Sequence, residues 1–168
     1  SPGRLDEEVA HMSRLSTFLW FQSGAAEAAA YYVSVFPNSR ITTEGVLDPQ
    51  GHGPVPEVPI VSFELDGMPF TAISGGPVFE LTGAISFVIA CADQAEVDYY
   101  WERLGDGGQY SQCGWLTDRF GITWQVVPNR LHELMSDPDP AKAQAVQTAM
   151  LQMGRLVVAD LEAAHAAV

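Results

Sequence analysis

The chain repeats itself, and this internal repeat limits its fold more than any other feature. A shift of 69 residues places Thr17 on Ser86, and a shift of 54 places Thr71 on Gln125. In each half an apolar segment precedes a helical pattern, and three more strand-like segments follow it. A repeat of this kind indicates two copies of one supersecondary unit. The sequence therefore predicts an α+β fold with two βαβββ modules.

Apolar periodicity and turn residues predict the elements of the two modules. In the first module, Asp66-Gly67 predicts a two-residue hairpin turn. Its predicted elements are strands at 15–21, 40–47, 60–65 and 69–73, a helix at 25–36 ended by Pro37, and a Pro/Gly-rich loop at 48–59. The predicted elements of the second module are strands at 85–91, 109–115, 116–119 and 122–127, and a helix at 95–104.

A helical tail is predicted after the second module. We expect helices at 129–135, with Asn129 as the cap, at 141–153, with Asp139 as the cap and Pro140 in the first turn, and at 158–166. Their apolar faces must pack on the chain's own modules or on a second subunit. The predicted division is thus 12–77, 78–128 and 129–168. Residues 1–11 are interpreted as an expression-tag remnant, because His11-Met12 is typical of a cloning junction.

Charge and cysteine content exclude several classes of partner. The net charge is −13, which repels phosphate backbones and anionic lipid surfaces, so we expect neither nucleic acid nor a membrane as partner. Two cysteines are too few for a disulfide framework. No apolar run approaches the roughly 20 residues that cross a bilayer, and no export signal is visible. A cytoplasmic protein is the resulting expectation.

Three stretches resemble a known family. The most specific is residues 112–128 (QCGWLTDRFGITWQVVP), supported by residues 18–21 (FLWF) and 32–39 (YVSVFPNS). They look like the PhnB-like branch of the vicinal-oxygen-chelate (glyoxalase/bleomycin-resistance) superfamily, many of whose members carry a demethylubiquinone methyltransferase-like label. The resemblance implies that each module curls into a half-barrel cup. It also implies a homodimer.

Enzymes of that superfamily hold a divalent metal with side chains from the first and last strand of each module. The resemblance carries these positions to Thr17 and Thr71 in the first module, and to Ser86 and Gln125 in the second; Ser16 replaces Thr17 if the register shifts by one. Neutral hydroxyl and amide groups are poor ligands for such metals. We therefore expect no metal and no cofactor, and a cup that binds a small organic ligand.

Further candidates for the cup are Cys113, Trp115 and Arg119. Aromatic side chains form either the core or a stacking wall for a planar ligand. If Thr17, Thr71 and Gln125 face the cup, alternation along a strand turns Trp20, Phe70 and Trp124 toward the helices. Cys113 has no histidine or other base near it in sequence, which favours a structural thiol. Arg119 suits an anionic ligand at the cup mouth, whereas its neighbour Asp118 is expected to be solvated in a turn.

Three functions remain open on the sequence alone. The first is a metal-free homodimer that binds a small molecule. The second is an enzyme, either a metal-dependent lyase, isomerase or dioxygenase, or a methyltransferase. No Gly-rich strand-to-helix turn of a doubly wound sheet is visible to support the last of these. The third is a dimeric scaffold without a ligand.

Overall fold

The structure is a computed structural model that describes residues 13–47 and 58–168. The predicted tag remnant and most of the predicted loop at 48–59 lie outside these residues. The chain divides into two compact units between Glu80 and Leu81; each contains one βαβββ module, and the second also contains the helical tail. The predicted α+β fold with two such modules is confirmed.

The first module places one helix against a four-stranded sheet. Strands β1 and β4 are parallel, the other pairs are antiparallel, and the order is β1-β4-β3-β2. At the β3–β4 turn, Asp66 and Gly67 both have positive φ, as the hairpin prediction requires. The elements are β1 (Thr17–Phe21), α1 (Ala25–Val35), β2 (Arg40–Leu47), β3 (Val58–Leu65) and β4 (Met68–Ser74).

Small residues let α1 approach its sheet closely. Ala25, Ala28 and Ala29 are fully buried, and Tyr32 packs over the ring of Phe63. The helix covers only one face of the sheet. Side chains alternate along each strand, so the opposite face, which we call the open face, carries the intervening residues.

The second module has the same topology. Its sheet order is β5-β8-β7-β6, again with the first and last strands parallel. Here α2 buries Val97, Trp101 and Leu104 against the sheet. The elements are β5 (Phe87–Cys91), α2 (Gln94–Gly105), β6 (Gln109–Tyr110), β7 (Trp115–Thr117) and β8 (Thr123–Pro128).

The helical tail packs on its own second module. Its helices are α3 (Asn129–Met135), α4 (Pro140–Leu151) and α5 (Val158–Ala166). Their apolar cluster consists of Leu131, Leu134, Val146, Leu156 and Leu161, bordered by Val127 of β8. Gln94 ties this tail to α2, since its amide donates to the Leu156 carbonyl (3.0 Å) and accepts from the Val158 N–H (2.7 Å). None of the helices in the described residues is long and apolar enough to cross a membrane.

Two local predictions were wrong. Strand β6 has two residues rather than the predicted seven at 109–115, because Cys113 and Gly114 have φ angles of 60° and 81° and turn the chain. Asn129 does not cap α3: the helix begins at Asn129 itself and Pro128 occupies the cap position, since β8 runs directly into the helix. The predicted Asp139 cap is confirmed, with its carboxylate 3.0 Å from the Ala141 N–H.

The shift of 69 residues holds for the helices but not for the first strands. Phe87 pairs with Trp124 as Thr17 pairs with Phe70, which gives a shift of 70 for β1 and β5 and 54 for β4 and β8. The turn from strand to helix is one residue shorter in the second module. The residue equivalent to Ser86 is therefore Ser16, the alternative position, rather than Thr17.

Candidate functional site

The open face of the second sheet brings three candidate residues together. In the strand register, Gln125 of β8 lies between Val88 of β5 and Trp115 of β7. The Gln125 Nε2 donates to the Ser86 Oγ at 2.9 Å. The structure thus joins Ser86, Gln125 and Trp115, which sequence analysis had placed in the predicted cup. We call Ser86, Val88, Trp115 and Gln125 the glutamine row.

The described strand positions on this face are uncharged. On one side of the glutamine row, Thr117 pairs with Thr123. On the other side, Ala90 pairs with Val127. Val88 is 62% exposed, whereas Gln125 and Trp115 are half-buried. Val88 was not among the predicted site residues, although its alternation with Phe87 and Ile89 in an apolar strand is a signal for its place on this face.

Hydrogen-bonding groups on the glutamine row are still available. Trp20 donates its indole N–H to the Gly76 carbonyl at 3.0 Å, and Trp124 donates to the Asp118 Oδ2 at 2.8 Å. Trp115 makes no such bond within the described residues. In the described residues, the Gln125 side-chain oxygen (Oε1) likewise accepts no hydrogen bond, and the Ser86 O–H donates none. These groups can bind a ligand or water.

Asp118 supports this sheet from its helix-covered side. It is 3% exposed, so the prediction that it is solvated was wrong. Its Oδ1 accepts from the N–H groups of Phe120 (2.8 Å) and Ile122 (3.1 Å), and its Oδ2 accepts from Trp124. The carboxylate accepts the backbone N–H groups of the turn between β7 and β8. It also holds the indole of Trp124 on the face of the sheet opposite to Gln125. An Asp-x-Phe-Gly turn before an apolar strand was the available signal.

Arg119 is exposed and packs locally. Its guanidinium lies 5.6 Å from the centre of the Phe120 ring. Its aliphatic carbons lie beside Gly107, so close that a β-carbon on Gly107 would be 3.4 Å from the Arg119 Cβ. These contacts hold Arg119 beside the loop after α2. Neither contact includes a residue of the glutamine row.

Cys113 lies in the turn before Trp115 and is half-buried. Its N–H donates to the Met153 carbonyl (2.8 Å), and the Gly114 N–H donates to the Gly154 carbonyl (2.8 Å). The backbone of Cys113 therefore anchors the tail at the start of β7. Cys91 is fully buried, and burial followed by the charge of Glu96 raises the pKa of its thiol to about 12.

The open face of the first sheet differs from that of the second. The register pairs Phe18 with Thr71, and the Thr71 hydroxyl lies 3.1 Å from the Ser62 hydroxyl. Thr17 instead pairs with buried Phe70, so the structure does not bring Thr17 and Thr71 together on one face. The face also carries an ion pair between Arg40 and Glu64 (3.3 Å).

Trp20 also lies on this open face rather than toward the helix. It pairs with Ile73, two residues after Thr71. Its indole lies over Gly75, where a β-carbon would overlap the ring, and it makes an edge contact with Phe79. The predicted orientation of Trp20 was wrong because it was inferred by alternation from Thr17, and Thr17 had been assigned to the wrong face. Phe70 and Trp124 are buried as predicted.

The side chains on the two open faces do not fit a divalent metal. The described residues contain no group of three or more His, Cys, Asp or Glu side chains able to hold one. The predicted ligand positions carry hydroxyls and an amide, which bind such metals weakly. Glu64 is the carboxylate nearest to these positions in the register, and it pairs with Arg40.

Comparison with known proteins identifies the family. The sequence profile of a family described as 3-demethylubiquinone-9 3-methyltransferase matches residues 13–127. The chain belongs to this family. The three tail helices follow the matched residues. Among curated proteins, none matches the chain significantly.

Solved structures support the PhnB-like assignment. The chain is 28% identical to the PhnB protein of Bacillus cereus, which is also named a 3-demethylubiquinone-9 3-methyltransferase; the match covers 69% of this chain and 99% of that one, with a TM-score of 0.61. A protein from Pseudomonas aeruginosa is 17% identical over 70% of this chain and 98% of its own, with a TM-score of 0.58, which shows the shared fold alone.

The family's name implies a methyl donor, and the described residues do not fit the usual site for one. That site needs a parallel, doubly wound sheet with a Gly-rich turn from strand to helix. Each sheet here has one parallel pair and two antiparallel pairs. The turns after β1 and β5 are Gln22-Ser23-Gly24 and Ala92-Asp93, neither of which is Gly-rich.

Proposed function

We propose that this PhnB-like protein binds a small organic molecule on the open face of its second module, without a metal. The observation that carries the proposal is the glutamine row, where a half-buried amide bonded to Ser86 lies between Val88 and Trp115. Ligand sites combine apolar walls with a few hydrogen-bonding groups that set orientation. The glutamine row has both.

The proposal includes the partners and location expected from the sequence. A small molecule, rather than nucleic acid or a membrane, suits a chain of net charge −13. Two free cysteines favour the cytoplasm. A homodimer is supported by exposed apolar side chains outside the glutamine row, such as Phe18, which is 56% exposed. Light scattering of the purified protein tests the dimer.

A thermal-shift screen tests the binding function. Metabolites, S-adenosylmethionine and divalent metal ions are each added to the full chain, and the melting temperature is recorded. A ligand at 100 times its Kd stabilises the folded state by about 2.7 kcal/mol, which raises the melting temperature of a chain of this size by roughly 5–10 °C. We expect such a shift with a neutral organic compound and none with metal ions.

A variant pair assigns the shift to the glutamine row. Gln125→Met conserves the side-chain volume and removes the amide, and we expect it to reduce the ligand-induced shift. Gln109→Ala changes an exposed glutamine on the edge strand of the same sheet and should retain the shift. Stabilisation by S-adenosylmethionine would favour a methyltransferase instead, and the absence of any stabilising compound would contradict the proposal.

A further inference from the structure

The free hydrogen-bonding groups on the glutamine row define the chemistry of its ligand. The Gln125 Oε1 is an acceptor, while the second Gln125 N–H, the Ser86 O–H and the Trp115 indole N–H are donors without partners in the described residues. A ligand that satisfies this row must therefore carry an acceptor beside a donor. If the Gln125 amide is rotated by 180°, its oxygen accepts from Ser86 and donors still stand beside the Ser86 acceptor, so the requirement is unchanged.

The apolar part of the row indicates a flat ligand. Val88 and Trp115 flank Gln125 on the two neighbouring strands. Adjacent strands lie about 4.8 Å apart, so the row spans roughly 10 Å, about the size of two fused rings. An indole beside an aliphatic side chain suits a planar ring better than a flexible chain, because ring faces stack on aromatic side chains.

The absence of charged residues from the described strand positions of this face disfavours ionic ligands. The described strand positions of the open face contain neither an acidic nor a basic residue. A carboxylate or phosphate would lose hydration without gaining a cationic partner, and an ammonium would lose hydration without gaining an anionic one. The cation–π contact of Arg119 is with Phe120, and its side chain also lies close to Gly107; neither residue belongs to the row. The ligand is therefore uncharged.

From these three observations we propose that the glutamine row recognises an uncharged, planar ring compound in which an N–H lies beside a C=O, as in a lactam. The inference rests on the proposed function and narrows it to one ligand class. The C=O accepts from the Ser86–Gln125 pair, and the ligand N–H donates to the Gln125 oxygen. The ring lies between Val88 and Trp115.

Calorimetric titration of the full chain with three matched probes tests this inference. The probes are 2-quinolone, its N-methyl derivative, which lacks the donor, and quinoline-2-carboxylate, which is anionic. We expect 2-quinolone to bind about tenfold more tightly than the N-methyl compound, as the loss of one hydrogen bond predicts. The carboxylate should bind more weakly than either.

Conservative variants assign the preference to the row. Ser86→Ala and Trp115→Phe each remove one hydrogen-bonding group and retain most of the packing, and we expect each to weaken 2-quinolone binding several-fold. Gln125→Met should remove the preference over the N-methyl compound. Gln109→Ala serves as the control, and circular dichroism with melting temperatures verifies that each variant is folded.

The possible failures are distinguishable. If the carboxylate binds at least as tightly as 2-quinolone, the ligand class is wrong and the binding function stands. The same holds if none of the three probes binds but a screened compound stabilises the wild type more than Gln125→Met. If neither the probes nor the screened compounds bind, the proposed function and the ligand class both fall.

Discussion

At the residue scale, one buried carboxylate organises the turn behind the glutamine row. Asp118 accepts three hydrogen bonds, one of them from the indole of Trp124. Trp124 precedes Gln125, and alternation along β8 puts the two side chains on opposite faces of the sheet. The position of the amide therefore depends on a residue that is not on the open face.

Replacing Asp118 should destabilise the protein strongly. Asp118→Ala leaves three donors unsatisfied, two of them buried, and we expect the free energy of unfolding to fall by about 2–4 kcal/mol. Asp118→Asn should cost less, because one oxygen is retained. Urea denaturation measures both, with the exposed Asp106→Ala as control. Equal, small effects for Asp118→Ala and Asp106→Ala would contradict the assigned role.

The two thiols should react differently. Cys91 is fully buried with a pKa raised to about 12, whereas Cys113 is half-buried. Only the thiolate is nucleophilic. At pH 8 we expect a thiol reagent to label one cysteine in the folded wild type, none in Cys113→Ser, and both wild-type cysteines in denaturant. Rapid labelling of folded Cys113→Ser, measured by mass spectrometry, would show that Cys91 is accessible.

Single residues were harder to predict from the sequence than helices and strands. Gln125, Ser86 and Trp115 were assigned to one region, and the structure brings them together. Thr17 was assigned to the wrong face, because a one-residue slip reverses the direction of every side chain in a strand. The sequence match of Thr17 with Ser86 conceals the shorter turn of the second module. The burial of Asp118 was missed although its partners Phe120, Ile122 and Trp124 lie within six residues of it in sequence.

At the element scale, the helical tail supports the second sheet. The chain around Gly154 accepts hydrogen bonds from Cys113 and Gly114, directly before β7. Periodicity predicted all three tail helices, two of them with the observed ends. It left open whether they pack on the module or on a partner. The packing of the tail depends on contacts between residues far apart in sequence, such as Gln94 and Leu156.

Gly114→Ala tests the junction between the tail and β7. Gly114 has a φ of 81°, and a β-carbon there would lie 2.7 Å from the Val126 carbonyl oxygen. Gly76 has the same φ with open space around it, so Gly76→Ala isolates the backbone cost. We expect Gly76→Ala to cost about 1 kcal/mol and Gly114→Ala about 2–4 kcal/mol. Thermal unfolding measures both, and equal losses would show that the close contact is unimportant.

The tail should also carry a pH-dependent contribution to stability. The Asp137 carboxylate accepts from the Asp139 N–H and lies 2.8 Å from the His165 Nε2. These hydrogen bonds, the first above all, lower the Asp137 pKa below its ordinary value of 3.8. A lowered folded-state pKa stabilises the protein above the ordinary value, and this stabilisation is lost as the pH falls through the folded-state pKa.

Asp137→Asn removes this contribution. We therefore expect the variant to be less stable than the wild type at pH 7 and to lose less stability as the pH falls below 3.8. Melting temperatures recorded from neutral to acidic pH measure this difference. Asp160→Asn, an exposed carboxylate of α5, is the control. Parallel curves for the wild type and Asp137→Asn would contradict the assignment.

At the scale of the whole molecule, one unit occurs twice with different chemistry. Both modules have the same strand order, but the first open face carries Trp20 and a charged pair, whereas the second carries the uncharged glutamine row. Repeated patterns predicted the shared topology. They did not predict this difference, because the direction of each side chain depends on strand register.

A crystal structure of the protein with the most stabilising compound of the screen is the most direct measurement. We predict electron density for the compound against Val88 and Trp115, within hydrogen-bond distance of Gln125 or Ser86. A compound bound away from these residues, or a metal ion coordinated on the same face, would contradict a metal-free binding site there.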